Sequence, residues 1–180
     1  LSDDGVNYGN GGNGTSKADA NNFMAMLKYL RQLMPKLTIA FCVSAAPEKI
    51  KFPVDKVCAL VDQVHVMSYD FSDGQWNETV TNHHTNLYDG PSTKYSVDKA
   101  VKVYKDKWKV PGSKLFIGGA YYSRGFSNTK GLGQAAKGGS SDMSWEQGCC
   151  DYKSLPRAGA VEMWDNTCKA TYSYDASKLA

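Results

Sequence analysis

The sequence predicts an α/β fold built on a parallel sheet covered by helices, either doubly wound or closed as a β/α barrel. Three observations carry this. Helix-like and strand-like segments alternate over the first 120 or so residues, the strand segments are apolar throughout rather than every second residue, and turn signals separate the segments.

The elements follow in order. Residues 18–34 place Phe23, Met26, Leu27, Leu30 and Met34 at helical spacing, with Ser16 and Asp19 as a capping-box-like start and Pro35 as the stop. Residues 37–43, LTIAFCV, form a short β-rich apolar run. Val54, Val57, Cys58 and Val61 fit a second, shorter amphipathic helix, and residues 63–70, QVHVMSYD, read as the next strand. Ser96 caps a third helix bearing Val97, Ala100, Val101 and Tyr104; Val110-Pro111-Gly112 then turns the chain into a strand over 114–120. Beyond about residue 127 the texture shifts to Gly, Ser and Lys and then to short aromatic runs such as YSY, read as an irregular, strand-poor insertion. Two parts are therefore expected, 1–126 and 127–180.

Composition excludes several classes of function. The 180 residues, 42% hydrophobic, suffice for one core. Net charge is +3 from scattered charges, so no basic stripe offers itself to nucleic acid. No apolar run reaches the ~20 residues that span a bilayer, and no membrane partner is expected. Five cysteines (Cys42, Cys58, Cys149, Cys150 and Cys168) lack metal-type CxxC spacing and read as structural disulfides of a secreted protein. The glycosylation acceptors Asn13-Gly14-Thr15 and Asn77-Glu78-Thr79 point the same way. No cofactor is expected. Gly9-x-Gly11-x-x-Gly14 spells a dinucleotide fingerprint, but no strongly apolar strand precedes it and no acid ends the next strand. His83-His84 lacks an evident third ligand and reads as a solvated loop pair rather than a metal site.

In either architecture, function sits at the carboxyl ends of the strands. One strand ends on Tyr69 and Asp70, with Met67 sharing the parity of Tyr69, and the next runs past its apolar stretch to Tyr122 and Arg124. Two strands that both end in a tyrosine plus a charge suggest one shared polar mouth.

The segments LTIAFCVSAAPEKI, VMSYDF followed by Trp76, VPGSKLFIGGAYYSRGF and SWEQGCCDY resemble, in order and spacing, the second half of the glycoside hydrolase family 18 chitinases. The resemblance covers most of residues 18–180 and departs from the family pattern at Gly119, Ala120 and Ser123. It implies part of a (β/α)8 barrel, with three or four parallel strands and their helices, plus an α+β insertion. It also implies a monomer that hydrolyses chitin or chitooligosaccharides with retention, the acetamide of the substrate replacing a protein nucleophile. On that reading Tyr69 and Asp70 are catalytic: Tyr69 donates to the acetamide and Asp70 contacts the sugar. Met67 lines the pocket floor, Tyr122, Arg124 and Glu146 bond sugar groups, and Trp76 and Trp145 offer flat faces to pyranose rings.

The general acid of the family is the Glu closing an Asp-x-x-Asp-x-Asp-x-Glu strand. Here Asp4-Gly5-Val6 resembles its start, while Asn7, Gly9 and Gly11 stand where its acids would be. The stretch NYGNGGNG is too flexible and polar for an inner barrel strand, so it is expected to be a loop following a catalytic strand upstream of Leu1. The alternative is a catalytically inactive chitin-binding lectin of chitinase ancestry that has lost the acid.

Overall fold

The computed structural model describes residues 18–76, 79–140 and 146–180. These divide into two compact units, one drawn from Leu1–Met67 and Ala100–Gly118, the other from Ser68–Lys99 and Gly119–Ala180.

The first unit carries the predicted alternation. Helix α1 (Asp19–Leu33) precedes strand β1 (Ala40–Ser44), helix α2 (Val54–Leu60), strand β2 (Gln63–Met67), helix α3 (Val97–Lys102), which begins in the other unit, and strand β3 (Leu115–Ile117). The three strands form one parallel sheet in the order β1-β2-β3, pairing Ala40 with Gln63 and Val64 with Leu115. Val64 and Val66 on the central strand are fully buried and alternate with the less buried Gln63, His65 and Met67, so β2 is not apolar throughout as expected but buries one face more deeply than the other. Phe23 of α1 packs on Phe41 and Phe52, with ring centroids 5.7 and 6.3 Å apart. Buried Tyr104, beyond α3, donates a 2.8 Å hydrogen bond to the Ser44 carbonyl at the end of β1.

Several boundaries differ from expectation. Helix α1 starts after Ala18, with no side-chain cap, and Asp19 is its first helical residue rather than part of a capping box. The Ser96 cap is present: its hydroxyl accepts the Lys99 amide at 3.2 Å. Strand β2 stops at Met67 instead of running to Asp70, whose φ of +58° lies in the left-handed region. Strand pairing cannot continue through that conformation, so the shared parity of Met67 and Tyr69 has no structural counterpart. Strand β3 is three residues long rather than the expected seven.

In the second unit, strands β4 (Tyr122–Arg124) and β5 (Cys149–Asp151) pair antiparallel, with Arg124 opposite Cys149. Strands β6 (Val161–Asp165) and β7 (Ala170–Tyr174) form a hairpin. The strand-poor reading of the region beyond 127 is thus wrong. Its strands are short, with aromatic residues on β6 and β7, and cross-strand pairing rather than an apolar run supports them. Buried Asn86 organises the loop before α3, its side-chain amide donating to the carbonyls of Tyr88 and Tyr95 at 2.8 and 3.0 Å.

The disulfide expectation also fails, since all five cysteines are free thiols. Cys149 and Cys150 are neighbours on one strand and point to opposite faces, while Cys42 lies on β1, Cys58 on α2 and Cys168 in the turn between β6 and β7. Burial pushes the Cys58 thiol up to about 11. None of the described helices is long and apolar enough to cross a membrane.

Candidate active site

The site lies within the second unit and is organised by one guanidinium. Arg124, at the end of β4, is 9% exposed in its side chain and reaches three carboxylates. Its Nε donates to Asp70 Oδ1 at 2.8 Å, and its Nη1 lies 2.9 Å from Asp73 Oδ2 and 3.2 Å from Glu146 Oε1. The Asp73 contact has the distance of an ion pair but misses hydrogen-bond alignment, so it acts through charge. Burial alone would weaken the cation, but the Asp70 hydrogen bond and the three negative charges raise the pKa of Arg124 above its ordinary value.

Asp70 is held from a second direction, because the Tyr122 hydroxyl donates to the same Oδ1 at 2.8 Å. Burial first, then the Asp70 carboxylate that accepts its proton, push the Tyr122 phenol upward, so it stays a donor. Two donors on one oxygen fix the orientation of that carboxylate. Tyr69, the preceding residue, meets the Tyr122 ring edge-on at 6.2 Å. The Trp76 indole, 51% exposed, lies with its ring centroid 5.5 Å from the Arg124 guanidinium carbon. It is a flat half-open face rather than a core residue.

Four of the expected site residues, Tyr69, Asp70, Tyr122 and Arg124, thus come together, with Trp76 and Glu146 at their edge. Met67 ends β2 in the other unit, partly exposed. Trp145, Asn13 and Asn77 fall outside the described residues.

Two members of the cluster are new. Asp73 is fully buried, accepts the Gln75 amide at 2.7 Å through Oδ1, and has its pKa raised by burial. The signal that could have revealed it is the acid-glycine pair Asp73-Gly74: a side chain at Gly74 would collide with the Gly138 carbonyl, so the loop must pack tightly there. The second is His84. Its Nε2 faces the Tyr122 carbonyl at 3.1 Å and must donate to it, which leaves Nδ1 as an acceptor 3.9 Å from Asp70 Oδ1. Burial drives His84 down to about 4, against the pull of Asp70.

The solvated reading of His83-His84 is therefore wrong for both residues. The His83 side chain is 5% exposed and bonds Asp165 Oδ2 at 3.0 Å. His83 is held by the Asp165 side chain 82 positions away and His84 by the Tyr122 carbonyl 38 positions away, which makes both histidines interior groups.

The site is a carboxylate aimed by a phenol and a guanidinium, beside a second tyrosine and an open indole. It can orient and hydrogen-bond a neutral polyhydroxy or amide ligand. The model of the family "Glycosyl hydrolases family 18" matches residues 5–180. The chain is 37% identical over 146 residues to Chitinase 1 of Aphanocladium album, covering 77% of this chain and 33% of that protein. It is 41% identical over 120 residues to Endochitinase 1 of Metarhizium robertsii, covering 64% and 27%. Among solved structures, chitinase ChiA74 from Bacillus thuringiensis superposes with a TM-score of 0.83 at 26% identity, over 97% of this chain and 33% of that one. The chain spans about a third or less of the length of these relatives.

Proposed function

The chain belongs to family 18 of the glycosyl hydrolases, a TIM-barrel family, and from that premise we propose that the protein is a chitinase-type glycosidase acting on β-1,4-linked N-acetylglucosamine. The chemistry we assign is retaining and substrate-assisted: the acetamide oxygen of the sugar attacks the anomeric carbon, an exception to the two-carboxylate scheme. A protein that uses no nucleophile of its own must orient the acetamide. The observation that carries this reading is the double clamp on Asp70 Oδ1, by the Tyr122 hydroxyl and Arg124 Nε, one residue after Tyr69.

In this reading Tyr69 donates to the acetamide oxygen and Asp70 holds the acetamide or the adjoining sugar. Tyr122 and Arg124 aim Asp70 as well as meeting sugar groups. Trp76 stacks on a pyranose ring, with Glu146 accepting from hydroxyls; Met67 and Trp145 are assigned on the motifs alone. The sheet β1-β2-β3 belongs to a β/α barrel over 1–126, and 127–180 to an inserted subdomain. The protein works outside the cell as a monomer, with Asn13 and Asn77 as glycan acceptors. A purely binding role is favoured by one observation: among the described residues, the glutamate that reaches the Asp70 cluster is Glu146, and Arg124 already engages it.

The test is Tyr69→Phe in the full-length enzyme. A bond that tightens as the oxygen attacks is lost from the transition state more than from the bound substrate, so kcat should fall far more than KM rises. A change confined to KM would reduce Tyr69 to ground-state binding and remove the support for assisted attack.

A further inference from the structure

We propose that His83, Asp165 and Cys168 form a site for one Zn²⁺ ion that pins the turn between β6 and β7 to the 81–90 loop. One ring nitrogen of His83, one carboxylate oxygen of Asp165 and the sulfur of Cys168 lie within 4.8 Å of one another. In a tetrahedral zinc site the usual bond lengths put neighbouring ligand atoms about 3.3 to 3.6 Å apart. His83 Nε2 and Asp165 Oδ2, 3.0 Å apart, stand slightly closer than that and need open by only a few tenths of an ångström. Only a small closure of the turn is needed for the rest.

The scaffold holds the three groups independently of any ion. Asp165 Oδ1 accepts the backbone amides of Thr167 and Cys168 at 2.8 and 3.1 Å, which turns Oδ2 toward His83. The Tyr88 amide bonds the Cys168 carbonyl at 3.0 Å, tying the turn to the loop. Any side chain at position 90 would collide with Cys168 Sγ, so Gly90 makes the room that the sulfur occupies. The His83 ring rests edge-on against Tyr172 at 6.0 Å and lines a cavity of about 510 Å³, from which water can supply a fourth ligand.

The donor set selects the metal. One nitrogen, one oxygen and one sulfur suit a borderline cation, whereas Mg²⁺ and Ca²⁺ favour oxygen alone and Cu(I) favours soft sulfur. Charge balances as well, because thiolate and carboxylate together neutralise the ion, and such neutrality matters where Cys168 and His83 are buried. On binding, the S–H proton of Cys168 leaves to solvent as the S–Zn bond forms. The His83 proton that now faces Asp165 moves to the other ring nitrogen, and Asp165 is already ionised: burial would raise it, but His83 and the two amides hold it down at about 2. Without metal, burial and then Asp165 push the Cys168 thiol up to about 11, so it is an inert thiol rather than a nucleophile.

Zn²⁺ and Co²⁺ titrated into the reduced, chelator-treated full-length protein test this. One equivalent of Co²⁺ should give a thiolate-to-metal charge-transfer band in the near ultraviolet, which Zn²⁺ displaces and which Cys168→Ser abolishes. X-ray absorption of the unmutated Zn²⁺ form should show one sulfur at about 2.3 Å, a measurement that stands even if the variant folds poorly. Absence of saturable binding, a band unchanged in Cys168→Ser, or a zinc shell with no sulfur would overturn the assignment.

Discussion

Arg124 Nη1 stands 2.9 Å from Oδ2 of Asp73, a carboxylate with no solvent exposure. The buried acid therefore depends on that cation, and removing the cation strands a charge in the interior. Arg124→Met should destabilise the fold by about 3 to 5 kcal/mol in denaturant unfolding at neutral pH. Asp73 already has its pKa raised by burial, so protonation relieves the stranded charge and the loss should shrink as pH falls. Adding Asp73→Asn to Arg124→Met should recover part of the stability. No recovery would mean that the arginine matters for packing rather than charge.

His84 sets a pH dependence of its own. Its folded pKa of about 4 lies below the ordinary 6.5, so between those values the unfolded chain binds a proton that the native state refuses. Stability from this group is fully present above about pH 6.5 and is lost as pH falls toward 4, by roughly 3 kcal/mol in all. His84→Gln retains an N–H for the Tyr122 carbonyl and removes the titration. The difference in unfolding free energy between wild type and this variant should therefore slope between pH 6.5 and 4 and be flat from 7 to 8. A flat difference throughout would place His84 in contact with water.

Trp76 combines a half-exposed indole with an Arg124 guanidinium against its ring. An exposed apolar face next to bonding groups suits a pyranose, and its removal should leave the core untouched. Trp76→Ala is expected to weaken chitooligosaccharide binding by about 1 to 3 kcal/mol in calorimetry while the circular dichroism stays the same. Unchanged affinity would show that the indole is not a sugar platform.

How far the sequence could be read depended on whether the signal was local. The helices and the parallel strands were legible because Leu27, Val57, Cys58, Val64 and Val66 repeat at the period of their own element and are buried accordingly. Strands β5, β6 and β7 were not: CCD becomes a strand only through Tyr122–Arg124 far back in the chain, and VEMWD and ATYSY pair in a hairpin with no apolar run to mark either. The same division runs through the site. Tyr69, Asp70, Tyr122 and Arg124 stand at or just past strand ends and share a legible pattern. Asp73 and His84 reach them through the fold of the loop between, where the Phe71 amide bonds the His84 carbonyl at 3.0 Å. The match of His83 to Asp165 spans 82 positions, and no local spacing encodes it.

The last prediction concerns the general acid: residues 1–180 alone should not turn over a fluorogenic chitobioside. Expelling the leaving sugar needs a proton at the glycosidic oxygen, and general acid catalysis is typically worth about 10² to 10⁴ in rate. A group that donates it must sit beside Asp70, protonated and facing the substrate. Glu48 lies in the 3-10 turn after β1, in the first unit, and Glu162, on β6, is not among the three carboxylates paired with Arg124. Glu146 is in the cluster, but its Oε1 already accepts from Arg124 Nη1 at 3.2 Å, which turns that oxygen toward the guanidinium. Asp73 is raised by burial, yet it is sealed from solvent and faces the arginine. The chain should therefore bind chitooligosaccharide through Trp76 and Tyr69 without cleaving it. Turnover that survives purification and disappears in Glu146→Gln would make Glu146 the acid, and would require Arg124 to release it when substrate binds.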